Sequence, residues 1–187
     1  MVRESAPGTS RGIGATRRAL INATREIHER LHRVPTLERL AEGRLGRSEY
    51  IELLRGFLRF HLVLESRLSL GPDLAMVGIV VRKRQRSHLL YDDLAALGVR
   101  KPEVPPPPGF HLATPVSVPA ALGYLYVSEG SRLGGRVLAS ALNGTLPPGR
   151  AEGRALFLGD VRQDGQGWRD FVTCWRTKAR TWMPAQL

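Results

Sequence analysis

The chain holds a single cysteine, Cys174, in 187 residues. An internal disulfide and a cysteine-rich metal site are therefore both excluded. Lysine is scarce: it stands at 83, 101 and 178, so the 28 basic residues are nearly all arginine. Aromatic residues make up 6% of the chain, and none interleaves the basic run VRKRQRSH at 81–88, which argues against a base-stacking platform there. No apolar run reaches the roughly 18 residues that a membrane helix needs. The opening MVRESAPGTSRG lacks the apolar core of a secretory signal. No stretch alternates apolar and polar residues as a strand does, and there is no internal repeat. These absences predict a soluble, cytoplasmic chain in a reducing compartment.

What is present is ordinary for a folded domain. The hydrophobic fraction is 42% and the charged fraction 24%, which excludes wholesale disorder at this length. The net charge is 28 − 17 = +11. That surplus favours nucleic acid, an anionic membrane or a ligand carrying carboxylates. The plainer reading is a solvated basic surface, with an arginine bias inherited from a GC-rich genome.

Glycine and proline punctuate helices. Residues 1–12 read as a mobile tail, with one helical domain over 13–187. From Ala15 to Arg33, Leu20, Thr24, Ile27, His28 and Leu31 recur at helical spacing until Pro35 stops the run. A short helix follows from Thr36 to Gly43. Ser48 opens another, with Tyr50, Leu54, Phe57, His61, Leu64 and Leu68 on one stripe, ended by Gly71-Pro72. Asp73 caps a predicted helix over 74–97 whose polar face carries the basic run. EVPPPPGF marks a loop, because consecutive prolines forbid a helix. Pro119 suits a helix start, and that helix bends at GSRLGG before resuming to Leu142. Residues 143–149 turn, 151–158 are helical, and a last helix runs from Gln166 to Trp182 with tryptophans at 168, 175 and 182 on one face. The predicted fold class is all-α, a single compact helical domain.

Three features carry chemistry. His28-Glu29-Arg30-Leu31-His32 is literally H-E-x-x-H. Two imidazoles a turn apart can bind zinc with Glu29 as general base, and Glu52 is a conceivable third ligand. A zinc metalloprotease of that type needs an edge strand before the motif, and the preceding 27 residues supply none. His28 by itself lies partly in the apolar stripe. It is either a satisfied boundary histidine or a haem-iron ligand, since one ring nitrogen can coordinate while the other is oriented. The third feature is EGSRLGGRVL at 129–138. Each helical glycine costs about 1 kcal/mol relative to alanine, so the missing side chains of Gly130, Gly134 and Gly135 need a reason. A flat ligand against bare backbone, a close helix crossing and a broken loop are the three candidates.

Together, ATREIHERLH at 23–32, EYIELLRGFLRFHLVLESRL at 49–68 and LYVSEGSRLGGRVLASAL at 125–142 resemble the bacterial biliverdin-producing haem oxygenases often paired with bacteriophytochromes. The resemblance implies a compact helical fold with haem between the first helix and the kinked distal helix. It implies that His28 is the proximal iron ligand and that Gly130, Gly134 and Gly135 let the distal backbone approach the haem. Arg25 matches a basic position that pairs with a propionate. Arg169 or Arg176 of the last helix matches another, and Tyr126 or Tyr124 offers a hydroxyl to the same carboxylate. The implied reaction is cleavage of haem at a meso carbon by O₂ to biliverdin, CO and iron, with electrons from an external donor. Ser131 departs from the pattern: many members carry Asp there, and serine supplies no carboxylate. A haem-binding relative without turnover is the implied alternative. His61 reads as core, the run 81–88 as a solvated face, and Cys174 as an inert buried thiol.

Overall fold

The structure is a computed structural model that describes residues 11–99, 110–159, 168 and 171–174, with side chains from residue 21 onward. Every regular element among them is helical. The chain divides into two compact units, residues 1–38 and 39–187.

The first unit is dominated by α1, Arg11–His32. It begins two residues inside the stretch read as a tail. Arg30 and Leu31 carbonyls accept the N–H groups of Arg33 and Val34 at 3.1 Å, which tightens the end of the helix just before Pro35. Pro35 then opens α2, Pro35–Ala41, as a proline in a first turn can, because its missing N–H would have no helical partner.

The second unit is built on α3, Arg47–Leu70. The Glu49 carboxylate accepts the Gly46 N–H at 3.0 Å and fixes its start. Tyr50, Leu54, His61, Leu64 and Leu68 are buried as the spacing predicts. Leu58 and Glu65 join them, whereas Phe57 is half-buried.

The helix expected over 74–97 is broken. Gly78 adopts φ +78°, a left-handed turn, between 3₁₀ turns at Ala75–Val77 and Val81–Arg84. Only Ser87–Ala96, α4, is α-helical there. α5, Val118–Ser131, is capped by the Ser117 hydroxyl, which accepts the Ala120 N–H at 3.4 Å. A 3₁₀ turn at Arg132–Gly134 then leads into α6, Gly135–Ala141. The bend expected at GSRLGG is this turn. A four-residue helix, α7, spans Ala155–Leu158. Of the last predicted helix, 168 and 171–174 are helical and the rest lies outside the described residues, Arg169 and Arg176 included.

Two apolar clusters hold this unit. One joins Tyr50, Leu54 and Leu58 of α3 to Leu90 and Leu94 of α4 and Phe157 of α7. The other joins Leu64 and Leu68 to Leu122 and Leu125 of α5 and to Phe171. Each fully buried leucine stabilises by about 1.5–3 kcal/mol relative to an exposed one.

Candidate functional site

In the first unit, Arg25, His28 and His32 follow one another along α1 and are exposed. The His28 and His32 rings meet edge to face with centroids 4.6 Å apart. Arg25 Nη2 donates to Asn22 Oδ1 at 2.7 Å. Ile27 and Leu31 flank His28 and are 61% and 49% exposed, so this part of α1 presents an imidazole among uncovered apolar side chains.

In the second unit, the three glycines separate into two kinds. A methyl group added at Gly130 or Gly134 would meet nothing within 4 Å. Val127, Leu133 and Val137 on the same stretch are exposed, as are Ser131 and Arg136, so the bare backbone lies among apolar and polar side chains. Gly135 is different. Its added methyl would stand 3.3 Å from the Phe157 Cα and closer still to the Phe157 carbonyl. Gly135 is thus a packing glycine that lets α6 press on α7, which corrects the expectation that all three open toward a ligand. The close-crossing explanation of the motif therefore holds at Gly135, whereas Gly130 and Gly134 have open space beside them.

Behind this segment lies a charged layer. The Glu129 side chain is fully buried and pairs with Arg84 at 3.2 Å and Arg132 at 3.1 Å. Arg84 also lies over the Phe171 ring, 6.0 Å from its centroid. Arg86 is buried, donating to the Leu156 carbonyl and, at 3.4 Å, to Ser131 Oγ. Burial, and then the Arg132 cation, lower Arg86 to about 10, so it stays charged near neutrality. The basic run is therefore not the solvated face that its composition suggests: Arg82 and Lys83 point outward, but Arg84 and Arg86 turn inward to Glu129, Ser131 and α7.

Glu65 organises the next layer. Its Oε1 accepts the backbone N–H of Arg86 at 2.7 Å and of Ser87 at 2.9 Å, and its Oε2 accepts the Ser87 hydroxyl at 2.6 Å. His61 Nδ1 lies 3.9 Å from the same carboxylate. Burial, and then Arg86, push His61 down to about 4, which leaves a neutral core imidazole.

The remaining expected residues are placed as follows. Ser131 donates its hydroxyl to the Ser128 carbonyl at 2.8 Å. Tyr126 is half-buried with its ring 6.0 Å from that of Trp168. Tyr124 donates to the Ala113 carbonyl at 2.9 Å, which engages the hydroxyl offered as the alternative to Tyr126. Cys174 is half-buried, with its Sγ 3.0 Å from the Val77 carbonyl. Sequence reasoning missed Arg86, Glu65 and Asp93, whose burial carries no local signal. Among the described residues, no group of three or more His, Cys, Asp or Glu forms a metal-binding set. No helix among them is long and apolar enough to cross a membrane.

Comparison with known proteins decides what this arrangement belongs to. The family model described as "Heme oxygenase" matches residues 16–176. The chain belongs to the haem oxygenase family. A protein of Xanthomonas campestris pv. campestris (strain 8004) named heme oxygenase is 35% identical over 136 residues, covering 72% of this chain and 76% of that protein. No solved structure matches. The haem oxygenase assignment makes the chain an oxidoreductase with the all-α fold of that family, and it sets aside the metalloprotease reading of H-E-x-x-H. The residues present also fit the family's group: an exposed imidazole between apolar side chains on α1, and two glycines whose open backbone a flat macrocycle can approach.

Proposed function

We propose that this chain cleaves haem at a meso carbon with O₂, yielding biliverdin, CO and ferrous iron. His28 holds the iron through one ring nitrogen. Gly130 and Gly134 offer backbone in place of side chains, and so leave space on the distal side. Arg25 pairs with a propionate, Arg169 is the second candidate for that role, and Tyr126 supplies a hydroxyl nearby. Once haem is bound, these contacts would orient it and so select the carbon attacked. When bound, haem supplies both the oxygen-activating iron and the carbon skeleton that is oxidised. Ser131 takes the place of the usual carboxylate. Its proton is engaged by Ser128, so toward a water its oxygen accepts rather than donates. Gly135 supports this face from behind, through Phe157.

We further propose that the chain works in the cytoplasm, draws electrons from an external donor protein or reductase, and passes its product to a bacteriophytochrome. Support comes from the three resembling words and, for an acidic donor, from the surplus of basic charge.

The observation that carries the proposal is the open backbone at Gly130 and Gly134 in a family member with an uncovered His28. The test is spectroscopic. Added haem gives a Soret band in wild type and His32→Ala, and the characteristic histidine-ligated spectrum is lost in His28→Ala. Under O₂ and ascorbate, that band decays while biliverdin absorption grows in the red. A band that persists unchanged under O₂ and reductant would show a haem-binding relative without turnover. Retention of the ligated spectrum in His28→Ala would remove His28 from its role.

A further inference from the structure

We propose that Arg86 and Asp93 are positioning residues for segment 130–135, acting through α7 as a bracket. This rests on the reading that the segment faces haem. Arg86 directly precedes α4, and Asp93 lies two turns into it. Asp93 Oδ1 accepts the Ala155 N–H at 2.6 Å and Oδ2 accepts the Leu156 N–H at 2.8 Å. Arg86 Nη2 donates to the carbonyl of the same Leu156. One residue of α7 is thus held at both backbone polar groups, by side chains at two places around one helix.

The next residue, Phe157, is the one against which Gly135 is pressed. Whatever fixes Leu156 therefore fixes the start of α6. The second arm is direct. Arg86 Nη1 reaches Ser131 Oγ, and because Ser131 gives its proton to Ser128, its oxygen is a competent acceptor. The 3₁₀ turn 132–134 is consequently tied at both sides: at Ser131 by Arg86 itself, and at Gly135 by α7.

A hydrophobic plug would hold α7 without the cost of burying charge. Asp93 is completely buried and Arg86 is 5% exposed, so both lose most of their hydration. What charge-assisted hydrogen bonds add is direction. Two fixed donors and acceptors set the height and rotation of α7, and through Gly135 they set where the glycine backbone stands. In the proposed reaction, the propionate contacts would set the rotation of the macrocycle, and the glycine backbone that it rests against would help to hold it there.

The test compares wild type with Asp93→Asn, Asp93→Ala, Arg86→Lys and Arg86→Gln in two measurements. The first is amide hydrogen exchange on the haem-free protein. Asp93→Ala and Arg86→Gln should speed exchange about tenfold in 132–138 as well as in 155–158. The second is the isomer distribution of biliverdin after turnover with ascorbate and O₂. Asp93→Asn and Arg86→Gln should shift the isomer ratio about twofold or bring in a second isomer, with Arg86→Lys closer to wild type. Faster exchange confined to 155–158 overturns the bracket. So does an unchanged isomer ratio at reduced yield, which is the signature of a merely structural lesion. A wild type that makes no biliverdin overturns the proposed function instead, and the exchange result then decides the bracket by itself. Should Asp93→Ala fail to fold, Asp93→Asn, which keeps one acceptor oxygen, gives the exchange result in its place.

Discussion

The Glu129 carboxylate lies 3.2 Å from the Arg84 guanidinium, with no part of the Glu129 side chain exposed to water. Arg132 approaches its other oxygen at 3.1 Å. Removing the anion takes the Glu129 counter-charge from two shielded cations. Glu129→Ala should therefore cost about 3–5 kcal/mol of unfolding free energy, and Glu129→Gln less, because it keeps the shape and one acceptor. Urea unfolding reads both. A pair this shielded should also respond little to salt between about 0.1 and 1 M, unlike the exposed Arg39–Glu49 pair.

The two kinds of glycine predict opposite results. Gly130→Ala enters open space in a helix, so it should stabilise the haem-free protein by about 0.5–1 kcal/mol while weakening haem binding. Gly135→Ala drives a methyl into the Phe157 backbone and should destabilise by about 1–3 kcal/mol. Thermal unfolding paired with haem titration separates them.

Much of this was legible beforehand. Pro35, Gly71-Pro72 and Pro119 marked boundaries that the structure keeps, because each acts through its own backbone. The stripe on α3 was readable for the same reason: a period is local. The stretch 74–97 was not. Its apolar and charged residues fit one helix, but Gly78 takes a left-handed φ. Arg84 and Arg86 find their partners at Glu129, Ser131 and Leu156, dozens of residues away. Pattern reading sends arginine outward by default, and a distant buried carboxylate leaves no mark beside the arginine it recruits. The glycine cluster announced that small residues were needed, yet not which ones met a neighbour and which met space.

Acid response should expose two opposing groups. His61 is held down to about 4 from its ordinary 6.5, so its contribution is complete above 6.5 and lost as pH falls toward 4. Burial raises Asp93 from 3.8 to about 6, against the pull of the Leu156 and Ala155 N–H groups. Its contribution is complete below 3.8 and lost as pH rises through 6. Each amounts to roughly 3 kcal/mol, so between about pH 4 and 6 they largely cancel. His61→Gln should leave stability falling as pH rises through that window, and Asp93→Asn should leave it rising. Urea midpoints at several pH values check both slopes.

Tyr50 donates its hydroxyl to the Gly153 carbonyl at 2.5 Å across 103 residues of chain. Tyr50→Phe leaves that buried carbonyl unpaired and should cost about 1–3 kcal/mol. Gly153 itself has φ +78° and packs on Leu146 and Leu97, so Gly153→Ala should cost roughly 1–2 kcal/mol or more. Chemical denaturation of the two single variants measures each loss.

The amino end of α4 has no cap of its own making; Glu65, twenty-one residues upstream on α3, completes it. The start of the fourth helix is thus lent by the third, and a fragment that begins after Gly78 lacks the carboxylate that takes up those N–H groups.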